Sequence, residues 1–129
     1  MSSWYLDTSA LLKLVIQEKE SSALRKIVGD GDVTSNFTRL EVARTLKPYP
    51  TKAKKDAGTM FNFIAQVPVD SEIMAQAALV IEASELKAAD AIHVASAMRL
   101  GRLIEGIITY DRQMATAASR FGIRVLAPE

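Results

Sequence analysis

Trp4-Tyr5-Leu6-Asp7-Thr8-Ser9-Ala10-Leu11-Leu12 is the stretch from which the fold can be read. Three apolar residues make a short strand, an acid closes it, and hydroxyl residues lead straight into a run whose apolar positions continue through Val15 and Ile16. A strand followed by a helix with almost no loop between is the opening half of a βαβ unit. Thr8 or Ser9 is the expected cap of that helix. A second helix is expected from about Ser21 to Val28, ending at the turn Gly29-Asp30-Gly31.

The pattern repeats outward. Val33-Thr34-Ser35 reads as a second strand, followed by helices over about 38–46 and 52–65, with Pro48 and Pro50 between them. Val67-Pro68-Val69 reads as a third strand, placed at a sheet edge by its proline. A helix capped by Asp70 or Ser71 runs to about Ser84. Residues 88–100 form the most apolar helix of the chain, ending at Gly101. Residues 106–109 and 124–126 read as the last two strands, flanking a helix over 111–121 closed by Gly122. Alternation of this kind predicts a three-layer α/β/α sandwich around a parallel five-stranded sheet, Rossmann-like in plan, built from one domain over residues 1–129.

Composition narrows the chemistry. The chain has 129 residues, no cysteine and a single histidine, His93. Thiol catalysis, iron–sulfur clusters and zinc–cysteine sites are excluded, and sites built from several histidines or a Ser-His-Asp triad are disfavoured. Sixteen basic and fifteen acidic residues leave a net charge of +1, so overall charge makes no case for nucleic acid. No apolar run reaches the roughly 20 residues of a membrane span. With no basic, apolar leader at its start, the chain is expected to be soluble and cytoplasmic.

Parallel sheets place their sites beyond the C-terminal strand ends, where the strand order switches. Four acids fall there or close by. Asp7 closes the first strand, Asp111 follows the fourth by a few residues, Glu41 lies in the helix after the second, and Asp90 opens the apolar helix 88–100. Each alone has an ordinary structural use as a cap or a first-turn acid. Together they gather like charges at one sheet edge, an arrangement that needs a cation, and hard oxygen ligands select Mg2+ or Mn2+. Ser9 and Thr109 put hydroxyls beside these carboxylates as supporting groups. His93 shares the helix face of Asp90, three residues on, and reads mainly as a hydrogen-bonded core residue. Trp4, Phe61 and Phe63 read as core. Arg39, Arg44 and Arg112, with Tyr110 as a stacking ring, are the candidate phosphate- and base-contacting residues.

The segments 5–14, Ser35-Asn36-Phe37-Thr38-Arg39-Leu40-Glu41-Val42, Ala88-Ala89-Asp90-Ala91-Ile92-His93-Val94-Ala95 and Ile108-Thr109-Tyr110-Asp111 resemble, in order and spacing, a PIN-domain ribonuclease of the VapC toxin type. The resemblance covers nearly the whole chain. It implies a PIN-like fold, and a metal-dependent endoribonuclease that serves as the toxin of a type II toxin–antitoxin pair. It also implies that Asp7, Glu41, Asp90 and Asp111 are catalytic and hold Mg2+ or Mn2+, leaving 5′-phosphate and 3′-hydroxyl ends. Ser9 and Thr109 match supporting positions. The partners implied are RNA, an antitoxin whose tail blocks the acidic pocket, and a second copy of the chain. The chain departs from the family where Lys87 and Ala89 stand in place of a frequent arginine and leucine. Two other readings remain open: a PIN-like binding module without turnover, and a Mg-dependent phosphatase or phosphoacceptor domain. The second is disfavoured because Ser9 stands where such phosphatases carry a second aspartate.

Overall fold

The computed structural model describes residues 2–129. Five parallel strands form one sheet: β1 (Trp4–Leu6), β2 (Val33–Ser35), β3 (Ala65–Val67), β4 (Gly106–Ile108) and β5 (Val125–Leu126). Their order across the sheet is β3-β2-β1-β4-β5. The chain builds outward from β1 on one side, then returns to build β4 and β5 on the other. The switch in order therefore lies between β1 and β4, which pair Leu6 with Ile108.

Among the described residues seven α-helices cover the two faces: α1 (Thr8–Val15), α2 (Ser21–Ile27), α3 (Asn36–Thr45), α4 (Thr51–Phe63), α5 (Ser71–Glu82), α6 (Ala88–Leu100) and α7 (Arg112–Arg120). Side chains alternate across each strand, and this divides the core in two. Trp4, Leu6 and Ile108 point to one side, where Leu11, Leu24, Val42, Leu46 and Phe61 of α1–α4 bury against them. Tyr5 and Ile107 point to the other, against Ile73 and Val80 of α5, Val94 of α6 and Met114 of α7. The run Ala91–Ala97 of α6 is buried on every side, as expected for a helix packed between α5, α7 and the sheet.

Several sequence expectations shift. The third strand lies two residues earlier than 67–69, because Ala65, Gln66 and Val67 pair with Val33, Thr34 and Ser35. It is the edge strand expected, with Pro68 just beyond its end, where a missing N–H costs no ladder bond. Phe63 is not core: it ends α4 with 82% of its surface exposed, while Phe61 and Trp4 are buried. Two residues separate Phe61 from Phe63, about 200° around a helix, so both rings cannot face the same core. The third helix starts at Asn36, two residues ahead of the expected Thr38. The first helix is capped not by Thr8 or Ser9 but by Asp7, whose carboxylate accepts from the Ala10 N–H at 2.9 Å.

A buried carboxylate that the sequence did not single out fixes the far end of β1. Asp32 accepts from the backbone N–H groups of Trp4 and Gly29, each at 2.8 Å, closing the 29–32 turn against the first strand. At the other edge, Gly106 meets the β5 side of the sheet so closely that an added Cβ would stand 2.2 Å from the Arg124 carbonyl oxygen. The nearest atoms are the carbonyl oxygen and carbon of Arg124, strand backbone that cannot swing aside. Gly106→Ala is expected to cost about 1–3 kcal/mol through overpacking, a fall in melting temperature of roughly 3–12 °C for a chain of this size. Thermal unfolding followed by circular dichroism checks it.

Candidate active site

The site is built on the C-terminal ends of β1 and β4. Asp7 is the residue after β1, and it is 2% exposed. Its burial is matched by donors. Oδ1 accepts from the Ser9 hydroxyl at 2.7 Å and from the Ala10 N–H, and Oδ2 accepts from the Thr109 hydroxyl at 2.5 Å. Thr109 follows β4, so this last bond ties the two central strand ends together. Ser9 adds a second tie, because its Oγ also accepts from the Tyr110 N–H at 2.9 Å. The Thr109 Oγ in turn accepts from the Asp111 N–H at 3.1 Å. Two hydroxyls thus hold the Asp7 and Asp111 loops against each other.

Asp111 caps α7, with Oδ1 accepting from the Met114 N–H at 3.0 Å. Glu41, partly exposed on α3, comes from the layer that covers one face of the sheet, and His93 comes from α6 in the other. The two meet over the strand ends: His93 Nε2 lies 2.6 Å from Glu41 Oε1. Thr8 Oγ donates to the same Oε1 at 2.5 Å and lies 3.1 Å from His93 Nε2, and the Tyr5 hydroxyl lies 2.7 Å from His93 Nδ1. His93 is 1% exposed. It is therefore both the hydrogen-bonded core residue the sequence suggested and a neighbour of a candidate site acid. Tyr5, read from sequence only as part of a core strand, belongs to the same network. The one signal for it was the alternation that sends Tyr5 to the α6 side of the sheet.

Asp90 sits in the first turn of α6, half-buried, and makes no hydrogen bond among the described residues. Burial raises its pKa above the ordinary carboxylate value. The negative charge of Asp111 adds to this, and Glu41 and Asp7 raise it further against an opposing pull from His93. Asp90 therefore feels the charge of each of the other three acids through space. Burial likewise raises Asp7, against the lowering effects of His93, Thr109, Ser9 and the Ala10 N–H. Glu41 goes the other way: burial works to raise it, but the His93 and Thr8 hydrogen bonds and the His93 charge outweigh that and lower it. Burial opposes charge on His93, yet the Tyr5 oxygen, the Glu41 hydrogen bond and the negative charge of Asp7 and Glu41 raise its pKa above the ordinary imidazole value.

The donor set fits a divalent cation in kind. It is all carboxylate oxygen, concentrated like charge at the mouth of a sheet, with an Asp90 carboxylate that no protein donor claims. The cluster is open rather than closed: among the described residues no three acidic or imidazole side chains already converge as a finished chelate.

The candidate RNA-binding residues divide. Arg112 opens α7 next to Asp111, and the two border a cavity of about 410 Å³ that also takes in Lys13, Lys19, Glu20 and Tyr110. Tyr110 is less free than a stacking ring needs to be. Its hydroxyl donates to the Pro128 carbonyl at 2.7 Å, and the Lys13 ammonium sits 4.8 Å above its ring. Arg39 lies over Phe61, its guanidinium 5.5 Å from the ring centre, and lines a groove between α3 and α4 with Val42, Leu46 and Lys54. Arg44 is exposed on α3, one turn beyond Glu41.

Comparison with known proteins agrees with this architecture. The PIN domain family model matches residues 4–119. The chain is 36% identical over 130 residues to the protein named ribonuclease VapC46 of Mycobacterium tuberculosis, covering 99% of each. It is 30% identical to ribonuclease VapC35 of the same species, covering 96% of each. Among solved structures, a toxin–antitoxin complex from Klebsiella pneumoniae superposes with a TM-score of 0.77 at 22% identity, covering 98% of each chain. Mycobacterium tuberculosis VapC20, described as a toxin cleaving the sarcin–ricin loop, superposes at 0.75 with 18% identity, covering 98% of this chain and all of that one. At those identities the structures speak for the fold, and the sequence matches carry the kinship: this chain belongs to the PIN-domain family, in its VapC group.

Proposed function

We propose that this chain is a metal-dependent endoribonuclease and the toxin of a type II toxin–antitoxin pair, acting as one domain over residues 1–129. The observation that carries the reading is the gathering of Asp7, Glu41, Asp90 and Asp111 at the switch between β1 and β4, in a chain whose relatives are named ribonucleases. Mg2+ or Mn2+ bound there supplies charge neutralisation at a phosphodiester and lowers the pKa of the attacking water.

The protein's own part is placement. Asp7 is the fixed member, since Ser9, Thr109 and the Ala10 N–H hold its carboxylate in one orientation. Asp90 and Asp111 bring further oxygens from the α6 and α7 side, and Glu41 brings one from α3. Arg112 stands beside Asp111 to draw an RNA phosphate toward the acids, and Lys19 extends that positive border along the same cavity, where Lys13 is already paired with Glu18 and Glu20. Arg39, Arg44 and Tyr110 have the weaker case, because Arg39 faces the α3–α4 groove and the Tyr110 ring is already covered. An antitoxin protein and a second copy of the chain are the proposed protein partners; one solved neighbour is a toxin–antitoxin complex. Among the described residues no helix is long and apolar enough to cross a membrane; the cytoplasm is the proposed compartment.

The direct test is cleavage of RNA by purified, antitoxin-free protein with Mg2+ or Mn2+. Cleavage should vanish with EDTA and fall by about a hundredfold or more in Asp90→Asn, since removing a metal ligand should cost at least as much as the roughly 10–100-fold lost with a ligand's supporting partner. No cleavage of diverse RNAs by metal-loaded protein would favour a binding module without turnover. Hydrolysis of phosphomonoesters in its place would favour the phosphatase reading.

A stability measurement follows from the charge crowding. Asp90 has a raised folded pKa, so its ionisation weakens the metal-free fold as pH rises through that value. Metal-free Asp90→Asn should therefore melt higher than the natural chain at neutral pH. The gain is of order 1 kcal/mol or less once solvent screening at this half-buried position is allowed for, or roughly 1–4 °C. The difference should shrink as pH falls through the raised Asp90 value. Added Mg2+ should raise the melting temperature of the natural chain more than that of the variant.

Cleavage should also weaken in mild acid, at a pH above the ordinary aspartate range. The raised pKa values of Asp7 and Asp90 mean that protons compete with the ion there. A pH–rate profile at fixed Mn2+ checks this, and a profile flat down to the ordinary aspartate range would contradict it.

A further inference from the structure

Glu41 differs from the other three acids in what holds it. Asp7 and Asp111 each accept a backbone N–H as helix caps, and Asp90 is on a short side chain in a helix's first turn. Glu41 projects from the middle of α3 on a longer, more flexible arm, and it has no backbone donor among its hydrogen bonds. Its position depends on groups from other elements. Three converge: Thr8 from the start of α1, His93 from α6, and Tyr5 from β1 acting through His93.

The geometry is selective. Thr8 Oγ at 2.5 Å and His93 Nε2 at 2.6 Å both address Oε1, and the described residues give Oε2 no partner. Tyr5 completes the arrangement from behind. Its hydroxyl pairs with Nδ1 at 2.7 Å, which fixes the ring so that Nε2, on the opposite edge, faces Glu41. No buried polar side-chain atom among the described residues lacks a partner, and the Tyr5–His93 pair ends on one carboxylate oxygen. A histidine needed only to fill the core of α6 would not require a path from the α6 layer to an acid of the opposite layer.

We propose that Tyr5, His93 and Thr8 form a positioning clamp that fixes Oε1 of Glu41 and presents Oε2 alone to the ion held by the acidic cluster. His93 is thus a positioning residue, neither a ligand nor a base. This rests on the metal-dependent reading above.

The test compares Tyr5→Phe, Thr8→Val, Thr8→Ser, His93→Gln and His93→Asn, with thermal unfolding as the check that each folds. The readout is Mn2+ affinity of the RNA-free protein, measured by titration and by the electron paramagnetic resonance signal of free Mn2+. Tyr5→Phe, Thr8→Val and His93→Asn should each weaken Mn2+ binding about tenfold, the scale of losing a ligand's supporting hydrogen bond. Thr8→Ser keeps the hydroxyl and should bind like the natural chain. His93→Gln should largely recover affinity, because its amide nitrogen reaches the place of Nε2, whereas that of Asn reaches only the place of Nδ1.

In a Glu41→Gln background, Tyr5→Phe should have no further effect on Mn2+ affinity. Folded Tyr5→Phe and Thr8→Val proteins with natural Mn2+ affinity would overturn the clamp and leave the nuclease reading standing. A natural chain that binds no Mn2+ would overturn that reading, and the clamp with it.

Discussion

Asp7 puts a carboxylate where a protein interior least tolerates one, 2% exposed at the end of the central strand. An ionised carboxylate in that position is kept only if its oxygens are claimed by donors or by a cation. The fold is arranged around meeting this demand. Ser9 and Ala10 of the following helix supply two donors, and Thr109 of the neighbouring strand end supplies the third. Those same hydroxyls bind the backbone at Tyr110 and Asp111. The bonds that make Asp7 tolerable therefore also set the position of a second acid.

The strand order makes this possible. Because the chain adds β2 and β3 on one side of β1 and then β4 and β5 on the other, the end of β1 is flanked by two strand ends from distant parts of the sequence. The loop after β4 and the helix after β2 both open onto it. The α6 helix approaches from the other layer, and its long buried run fixes Asp90 and His93 at one end of a rigid rod. Charge then accumulates from both layers at one place. Asp90, its pKa raised first by burial and then by the charges of Asp111, Glu41 and Asp7, lies within reach of that accumulation, and the His93–Glu41 contact is where the two helical layers meet over the sheet.

Much of this was legible in the sequence, for identifiable reasons. Strand-to-helix alternation, with acids and hydroxyls at the junctions, was enough to place Asp7 and Asp111 at strand ends and to expect the parallel sheet. Asp90 stood out because an acid in so apolar a helix demands an explanation. What was less legible depends on three dimensions. The third strand is three residues long, and its register comes from pairing with Val33–Ser35, which no local pattern around Pro68 encodes. Phe63 looks like core in any composition-based reading, and only its angle around α4 turns it to solvent. Asp32 reads as one more turn residue until its two backbone donors are seen. Tyr5 and His93 lie 88 positions apart, and nothing in either segment announces that they share a hydrogen bond.

The central proposal is that the four acids gathered past the end of β1 hold divalent cation. Crystals soaked in Mn2+ and measured near the manganese absorption edge test it directly. The account predicts an anomalous peak at coordination distance, about 2.1 Å, from Asp7 and from at least two of Glu41, Asp90 and Asp111, and no such peak in crystals of Asp90→Asn. A peak elsewhere on the molecule, or none at the acidic cluster in Mn2+-soaked crystals of the natural chain, would contradict it.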